Sequence, residues 1–309
     1  MTTLKEISDG MSQAVQAAAP AIVRVEGRRW TPGSGLVWSE DGVILTANHV
    51  VERDDEIQVG LPSLGGLPSL GGLPGGKDAV PAVLVGRDPA TDLAVLRVQG
   101  SGLHAARLAG DLPAVGELVL ALGRPGQNVQ SSLGGVHALG GEWRTPAGAR
   151  VEAYLQPDLV MYPGFSGGPL VNAEGQVVGL NTSGLLRDAA VTLPGAVLTR
   201  VVNELLAHGH MRRGYLGVGS QPVRLPEGLV NTLQGQETGL LISSVQPGSP
   251  AEKAGLLLGD TLVTLDGHPL RQMDDLLVYL NGDVVGQSAP VTVLRGGVIQ
   301  KLNLVIGER

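Results

Sequence analysis

The chain contains no cysteine and a single phenylalanine, and aromatic residues make up 3% of its 309 positions. The first absence excludes a disulfide scaffold, a thiol nucleophile and thiolate metal ligation. The second means that any core is built from Val, Leu, Ile and Ala. Positive charge is also scarce: the formal net charge is −7, and Arg28-Arg29 and Arg212-Arg213 are the only basic doublets that touch. With no basic stripe to release counterions, nucleic acid is not expected as a partner. No apolar run approaches the ~20 residues that span a bilayer, so no membrane span is expected. The opening segment MTTLKEISDGMSQAVQAAAP is too polar for a secretory leader. The chain as written therefore reads as soluble and cytoplasmic, or as extracytoplasmic or periplasmic if a leader has been removed.

What is plentiful is glycine and proline, 47 and 20 residues, beside an apolar fraction of 43%. That combination predicts a folded, strand-rich chain full of turns, and the length predicts two domains. Leu4, Ile7, Met11 and Val15 fall on one helical stripe that Pro20 closes, which makes 1–20 an N-terminal helical segment. Such a helix either caps its own domain or contacts another subunit. From residue 21 to about 195 short β-like runs alternate with turn signals, among them AIVRVEG, GVILTA, DLAVLRV and GQVVGLNTS, as in an antiparallel sandwich or barrel. A helix is predicted over 198–208, with Leu198, Val201, Val202, Leu205 and Leu206 on one face and Gly209 as its stop. The first domain is thus 21–209, residues 210–214 form a joint, and 215–309 form a second unit.

The stretch LPSLGGLPSLGGLPGG, residues 61–76, is a six-residue unit repeated and then truncated. Its period is too short for a solenoid, and proline and glycine at this density oppose both helix and ladder. A surface loop between two strands is expected, either a neutral expansion, since closure entropy rises slowly with length, or a gate for substrate or assembly.

PGFSGGPL, residues 163–170, sets Ser166 between the sole phenylalanine and two glycines. Nucleophilic serine needs a base to take its proton and a carboxylate to orient that base. LTANHVV places His49 directly after one strand-like run, and ATDLAVL places Asp92 at the mouth of another. The order His, Asp, Ser is that of the chymotrypsin-type double barrel. A metal-dependent hydrolase has no ligand cluster to support it, so neither a metal nor a cofactor is implied.

Together GSGLVWSEDGVILTANHVV, VLVGRDPATDLAVLRV, VGELVLALGRPG, PGFSGGPLVNAEGQVVGLNT and RRGYLGV resemble the HtrA (Deg) family of trypsin-like serine proteases with one C-terminal PDZ domain. The resemblance implies a mainly β fold, a chymotrypsin-type double β-barrel followed by a small α+β PDZ domain. It carries the triad onto His49, Asp92 and Ser166. Their His-to-Asp interval is longer than the family's usual, and the repeat lies inside it. It also implies an oxyanion hole at Gly164, Phe165 and Ser166, with the backbone N–H groups of Gly164 and Ser166 as donors. Phe165 departs from the family's usual asparagine, so its ring is expected to pack beneath or beside the loop. Val160, Val191, Thr192 and Leu193 are expected at the specificity pocket; with no acid among them, cleavage is expected after small or medium apolar residues.

In the second unit, Ser249 with Glu252 reads as a capping box, Pro250 as a first helical residue and Asp266-Gly267 as a hairpin turn. YLGV, residues 215–218, is by resemblance the carboxylate-binding loop of the PDZ domain, with Tyr215, Leu216, Gly217 and Val218 taking a peptide C-terminus. Met273, Leu276, Leu277 and Leu280 lie on a predicted helix beside that groove. The function this implies is ATP-independent serine endopeptidase activity on unfolded or misfolded polypeptides by a homotrimer, with PDZ recognition of apolar C-termini. The alternative is a PDZ scaffold or holdase with a quiescent protease site.

Overall fold

The structure is a computed structural model that describes residues 3–62, 79–100, 102–186, 189–280 and 284–308. It divides into two compact units, residues 1–211 and 212–309. Residues 63–76 of the repeat lie outside the described residues.

The first unit opens with helix α1, Leu4–Ala18, whose start is fixed by a capping box. The Thr3 hydroxyl accepts from Glu6 N at 3.2 Å, and the Glu6 carboxylate accepts from Thr3 N. Pro20 ends the helix in a single 3₁₀ turn, Ala19–Ala21. Ala14 and Ala18 are buried, Met11 and Val15 of the predicted stripe pack partly buried against the same core, and Leu4 stays exposed.

Six antiparallel strands then close a barrel: β1 Ile22–Glu26, β2 Gly33–Ser39, β3 Val43–Ala47, β4 Ile57–Gly60, β5 Ala79–Asp88 and β6 Leu93–Val98, in the order β1-β2-β3-β6-β5-β4. A second six-stranded sheet follows, β7 Leu118–Gly123, β8 Gln130–Gly140, β11 Tyr154–Asp158, β12 Pro169–Val171, β13 Val177–Thr182 and β14 Val191–Pro194, ordered β11-β8-β7-β12-β13-β14. Its outermost strands β11 and β14 approach each other, which curls the sheet into a barrel-like shape. The pair β9 Trp143–Arg144 and β10 Arg150–Val151 lies between β8 and β11 in sequence.

Helix α2, Gly195–His208, begins three residues earlier than the apolar stripe predicts, because Val197 also faces inward. Gly209 ends it with φ at +76°, as a left-handed C-cap. The expected joint at 210–214 is packed at both ends. His210 bridges to Arg87 and Met211 packs against the core under α2, while Gly214 opens the next strand.

The second unit is a six-stranded antiparallel sheet with short helices. Its main strands are β16 Val218–Arg224, β17 Thr238–Val245, β18 Thr261–Leu265, β20 Ser288–Arg295 and β21 Val298–Val305, in the order β16-β17-β18-β20-β21. The two-residue strands β15 Gly214–Tyr215 and β22 Gly307–Glu308 pair with each other, and β19 His268–Pro269 pairs with β18. Asp266 and Gly267 both have positive φ, +50° and +75°, as the expected hairpin turn requires. The helices are α3 Glu227–Val230, α4 Pro250–Lys253 and α5 Met273–Tyr279. At α4 the Ser249 hydroxyl accepts from Glu252 N at 3.2 Å, but the Glu252 carboxylate reaches past the N-cap to Gly248 N at 2.6 Å. Leu240, Leu262, Leu265, Leu276, Val291 and Leu304 are among the residues that fill this unit's core.

Candidate active site

The path to Asp92 is a built turn. Asp88, nearly fully buried at the end of β5, accepts from Ala90 N at 3.1 Å and from the Thr91 hydroxyl at 2.7 Å. Those bonds hold the chain so that Asp92 takes φ +57°, a conformation non-glycine residues rarely adopt, with its side chain pointing inward just before β6. His49 lies on the one-turn 3₁₀ helix Asn48–Val50 that follows β3. The two segments lock together: Asn48 N donates to Asp92 O at 2.9 Å and His49 N donates to Asp92 Oδ1 at 2.9 Å. The His49 ring then meets Asp92 Oδ2 through Nδ1 at 2.7 Å. Asp92 is 4% exposed, so its carboxylate interacts in a low-dielectric setting.

A third group joins this pair. The Thr182 hydroxyl, at the end of β13, donates to Asp92 Oδ2 and accepts from Gly184 N at 2.9 Å. Asp92 therefore receives a backbone N–H, an imidazole and a hydroxyl, an arrangement that fixes both the position and the tautomer of His49.

Ser166 sits in the loop between β11 and β12, and the loop's backbone is tied on every side. Ser34 N donates to Ser166 O at 3.1 Å, Gly167 N to Asn181 O at 2.9 Å and Gly168 N to Phe165 O at 2.9 Å. Gly164 has φ +88°, and a Cβ there would lie 2.5 Å from Pro125 Cβ and 2.8 Å from Pro32 O, so the position admits only glycine. Among the described residues, the N–H groups of Gly164 and Ser166 have no protein acceptor. Phe165 N–H is spent on Tyr162 O at 3.0 Å, so Phe165 cannot serve as a third donor. Its ring is fully buried beneath the loop among Val119, Ala121, Val136, Leu155, Leu170 and Val178, edge-on to Tyr162 at 5.6 Å. The Ser166 hydroxyl rests 3.1 Å from Ser183 Oγ, and no hydrogen bond joins it to His49 among the described residues.

The expected pocket residues separate. Leu193 faces the core beneath α2 with Leu180 and Val197, because side chains alternate along a strand, and is removed from the pocket set. Val191 shares that parity and is likewise buried. Thr192 points to the opposite face, where its hydroxyl donates to Asn181 Oδ1 at 2.8 Å. Asn181 is one alternation before Ser183, which touches the nucleophile, so Asn181 and Thr192 share the nucleophile's face of the sheet. Asn181 Nδ2 is buried with no partner. Val160 is 57% exposed on the irregular segment after β11. Thr182, Ser183, Asn181 and Ser34 were not anticipated as site residues, although NTS after GQVVGL and GSG before LVW were the available signals. Among the described residues no three His, Asp or Glu side chains converge to hold a metal.

In the second unit, β16 is an edge strand with one side of its ladder unpaired, and α5 lies alongside it, with Ser220 Oγ 3.2 Å from Met273 Sδ. Leu276 belongs to the core while Leu277 is exposed. Tyr279 ties α5 to the β18–β19 turn by donating to Asp266 Oδ2 at 3.1 Å; burial, and then that carboxylate, push its hydroxyl up to about 12. The YLGV loop is held by its carbonyls. Ala251 N donates to Leu216 O at 2.9 Å and Gln246 N to Gly217 O at 2.8 Å, which leaves the N–H groups of Leu216 and Gly217 without protein acceptors among the described residues.

Comparison with known proteins is consistent across the chain. A trypsin-like peptidase domain model matches residues 33–180, and a PDZ domain model matches residues 214–306. A probable periplasmic serine endoprotease DegP-like of Ectopseudomonas mendocina is 36% identical over 281 residues, and one of Pseudomonas putida strain GB-1 is 36% identical over 283 residues. Each alignment covers 89% of this chain and 56% of the relative, so the chain spans about half the length of the curated relatives it matches. Among solved structures, the HtrA-type protease AlgW with a tripeptide is 31% identical at a TM-score of 0.68, covering 97% of both chains. The serine endoprotease from Yersinia pestis is 28% identical at a TM-score of 0.70, covering 97% of this chain and 98% of that one.

Proposed function

The chain belongs to the HtrA-type proteases, and from that premise we propose that it is a serine endopeptidase in which His49, Asp92 and Ser166 act as the triad. The observation that carries the reading is the His49–Asp92–Thr182 network facing a serine loop whose two outer N–H groups are unspent. Ser166 Oγ turns from Ser183 toward His49, attacks the scissile carbonyl carbon and gives its proton to the imidazole. The carbonyl π pair becomes an oxyanion received by the N–H groups of Gly164 and Ser166, each worth a factor of ~10² to 10³ in rate. The imidazolium, stabilised by Asp92, returns the proton to the leaving amine, and water repeats the cycle on the acyl-enzyme.

The substrates are unfolded or misfolded polypeptides, cut without ATP after small or medium apolar residues. Peptide C-termini of apolar character bind the second unit as an added strand along β16, their carboxylate on the N–H groups of Leu216 and Gly217. A homotrimer in an extracytoplasmic compartment fits the periplasmic relatives. The resting hydrogen bond between the Ser166 and Ser183 hydroxyls favours a second reading, a PDZ-bearing scaffold or holdase with a quiescent site.

Digestion of casein by the wild type and by Ser166→Ala, with and without a peptide ending in apolar residues, separates the two. Serine-dependent fragments, read by mass spectrometry, support the protease and identify the residue before each cut. Ser166→Ala is expected to lose about 10⁶ in rate. Equal cleavage by the variant would sink the assignment, and absence of cleavage with casein kept soluble would install the second reading.

A further inference from the structure

GSG at 33–35 opens β2, and its serine is fully buried and touches the nucleophile loop twice. Ser34 N donates to Ser166 O at 3.1 Å, and Ser34 Oγ donates to Gly164 O at 2.6 Å. The same hydroxyl accepts from Arg124 N at 2.7 Å, so its single O–H is spent and one of its two lone pairs is engaged. Neither neighbour is free to drift. Ser34 O accepts from the Thr46 hydroxyl at 2.7 Å, two residues before the 3₁₀ turn that carries His49. Arg124 is anchored by its guanidinium to Ile22 O at 2.7 Å, Gln127 O at 2.7 Å and Ala19 O at 3.1 Å.

The bond to Gly164 O has a consequence beyond packing. The two unspent N–H groups belong to the peptides on either side of the Gly164–Phe165 peptide. That central peptide is tied at both ends, its C=O by Ser34 Oγ and its N–H by Tyr162 O at 3.0 Å. Rotating it turns the Gly164 and Ser166 N–H groups apart. We propose that Ser34 is a positioning residue for the oxyanion hole: its hydroxyl, held by Arg124 N–H, sets the central peptide so that both donors converge on one oxygen. The proposal rests on the protease reading above.

The consequence lies in the transition state, because the oxyanion exists only there, whereas the Michaelis complex leaves the two donors largely unused. Ser34 touches neither His49 nor Asp92, so the ionisation that governs the pH dependence should not move.

The test compares wild type, Ser34→Ala, Ser34→Cys and Ser166→Ala on a chromogenic peptide with alanine before the scissile bond. A peptide aldehyde of the same sequence serves as inhibitor; Ser166 Oγ bonds to its carbonyl carbon, the Oγ proton passes to His49 and the carbonyl π pair becomes the oxyanion. For Ser34→Ala we expect kcat to fall between about 10- and 100-fold, less than the ~10² to 10³ of a donor deleted outright. KM should stay within about twofold, aldehyde affinity should fall in step with kcat, and the pH profile of kcat/KM should keep its shape. Ser34→Cys, with a weaker donor in nearly the same volume, should fall between the two and carries the test if the alanine variant does not fold. A folded variant with unchanged kcat, or a loss shared equally by KM, overturns the positioning role. Failure of the wild type to cleave, or cleavage by Ser166→Ala, overturns the protease reading and this inference with it.

Discussion

The two units build their candidate sites from different material. In the first, the site is made of side chains: Asp92 alone receives His49 N, His49 Nδ1 and the Thr182 hydroxyl, brought together by the 3₁₀ turn after β3, the turn before β6 and the end of β13. In the second, the site is made of backbone: the edge along β16 and the N–H groups of Leu216 and Gly217, which have no protein acceptor among the described residues. A side-chain site fails when one atom is changed. A backbone site survives most substitutions and fails when the chain itself is moved. The difference predicts two opposite sensitivities to mutation within one molecule.

The sharpest break comes at Asp92. Asp92→Asn keeps the shape but offers an amide N–H₂ where His49 Nδ1 needs an acceptor, which selects the wrong tautomer. A loss of about 10⁴ in kcat is expected, with KM nearly constant. Thr182→Ala removes one donor from the same carboxylate and is expected to cost roughly tenfold, the worth of one hydrogen bond to a charged group. Steady-state kinetics on a chromogenic peptide check this, and an unchanged kcat would remove Thr182 from the network that orients His49.

These residues also mark how far the sequence could be read. The barrel fold was legible because β-like runs recur at short intervals between turns, and the triad candidates were legible because each sits beside such a run. Thr182 and Ser34 were not, since a hydroxyl in a strand looks the same whether it faces solvent or a buried carboxylate; only the register of β13 against β14 and the approach of β2 to the serine loop decide it. The pocket was harder to read for a related reason. Val191, Thr192 and Leu193 are adjacent in sequence, but strand alternation sends Leu193 to the core and Thr192 to the nucleophile's face. Phe165 was expected beneath or beside its loop because it stands where the family usually has asparagine, and its ring is buried beneath it.

Gly217 tests the backbone half of the comparison. Its φ is +81°, and a Cβ would overlap Ser249 Cβ and lie 2.9 Å from Tyr215 Oη, so Gly217→Val must displace the loop. Titration calorimetry with a peptide ending in apolar residues is expected to show at least about a tenfold loss of affinity, as the carboxylate loses its N–H pair. Val218→Thr keeps the same backbone and should change affinity less. If the threonine variant lost as much as the valine one, side chains rather than N–H groups would be the recognition element.

The smallest effect concerns the frame that holds the second site. Asp260, buried just before β18, receives Arg295 Nε at 2.7 Å, Arg295 Nη2 at 2.7 Å and Leu257 N at 2.8 Å. Burial works to raise its carboxyl, but the Arg295 guanidinium and the Leu257 N–H outweigh it and hold the group below the ordinary 3.8. A carboxyl depressed in the folded state adds stability that is fully present above the unfolded value and is lost as pH falls through the folded one. The second unit should therefore melt progressively lower on acidification below about pH 4. Asp260→Asn should lower its melting temperature at neutral pH and flatten this part of the acid dependence, because the group that titrates is gone. Melts of equal acid slope in wild type and variant would mean that other carboxylates carry the effect. A site made of backbone depends on such remote anchors more than on any residue that touches its ligand.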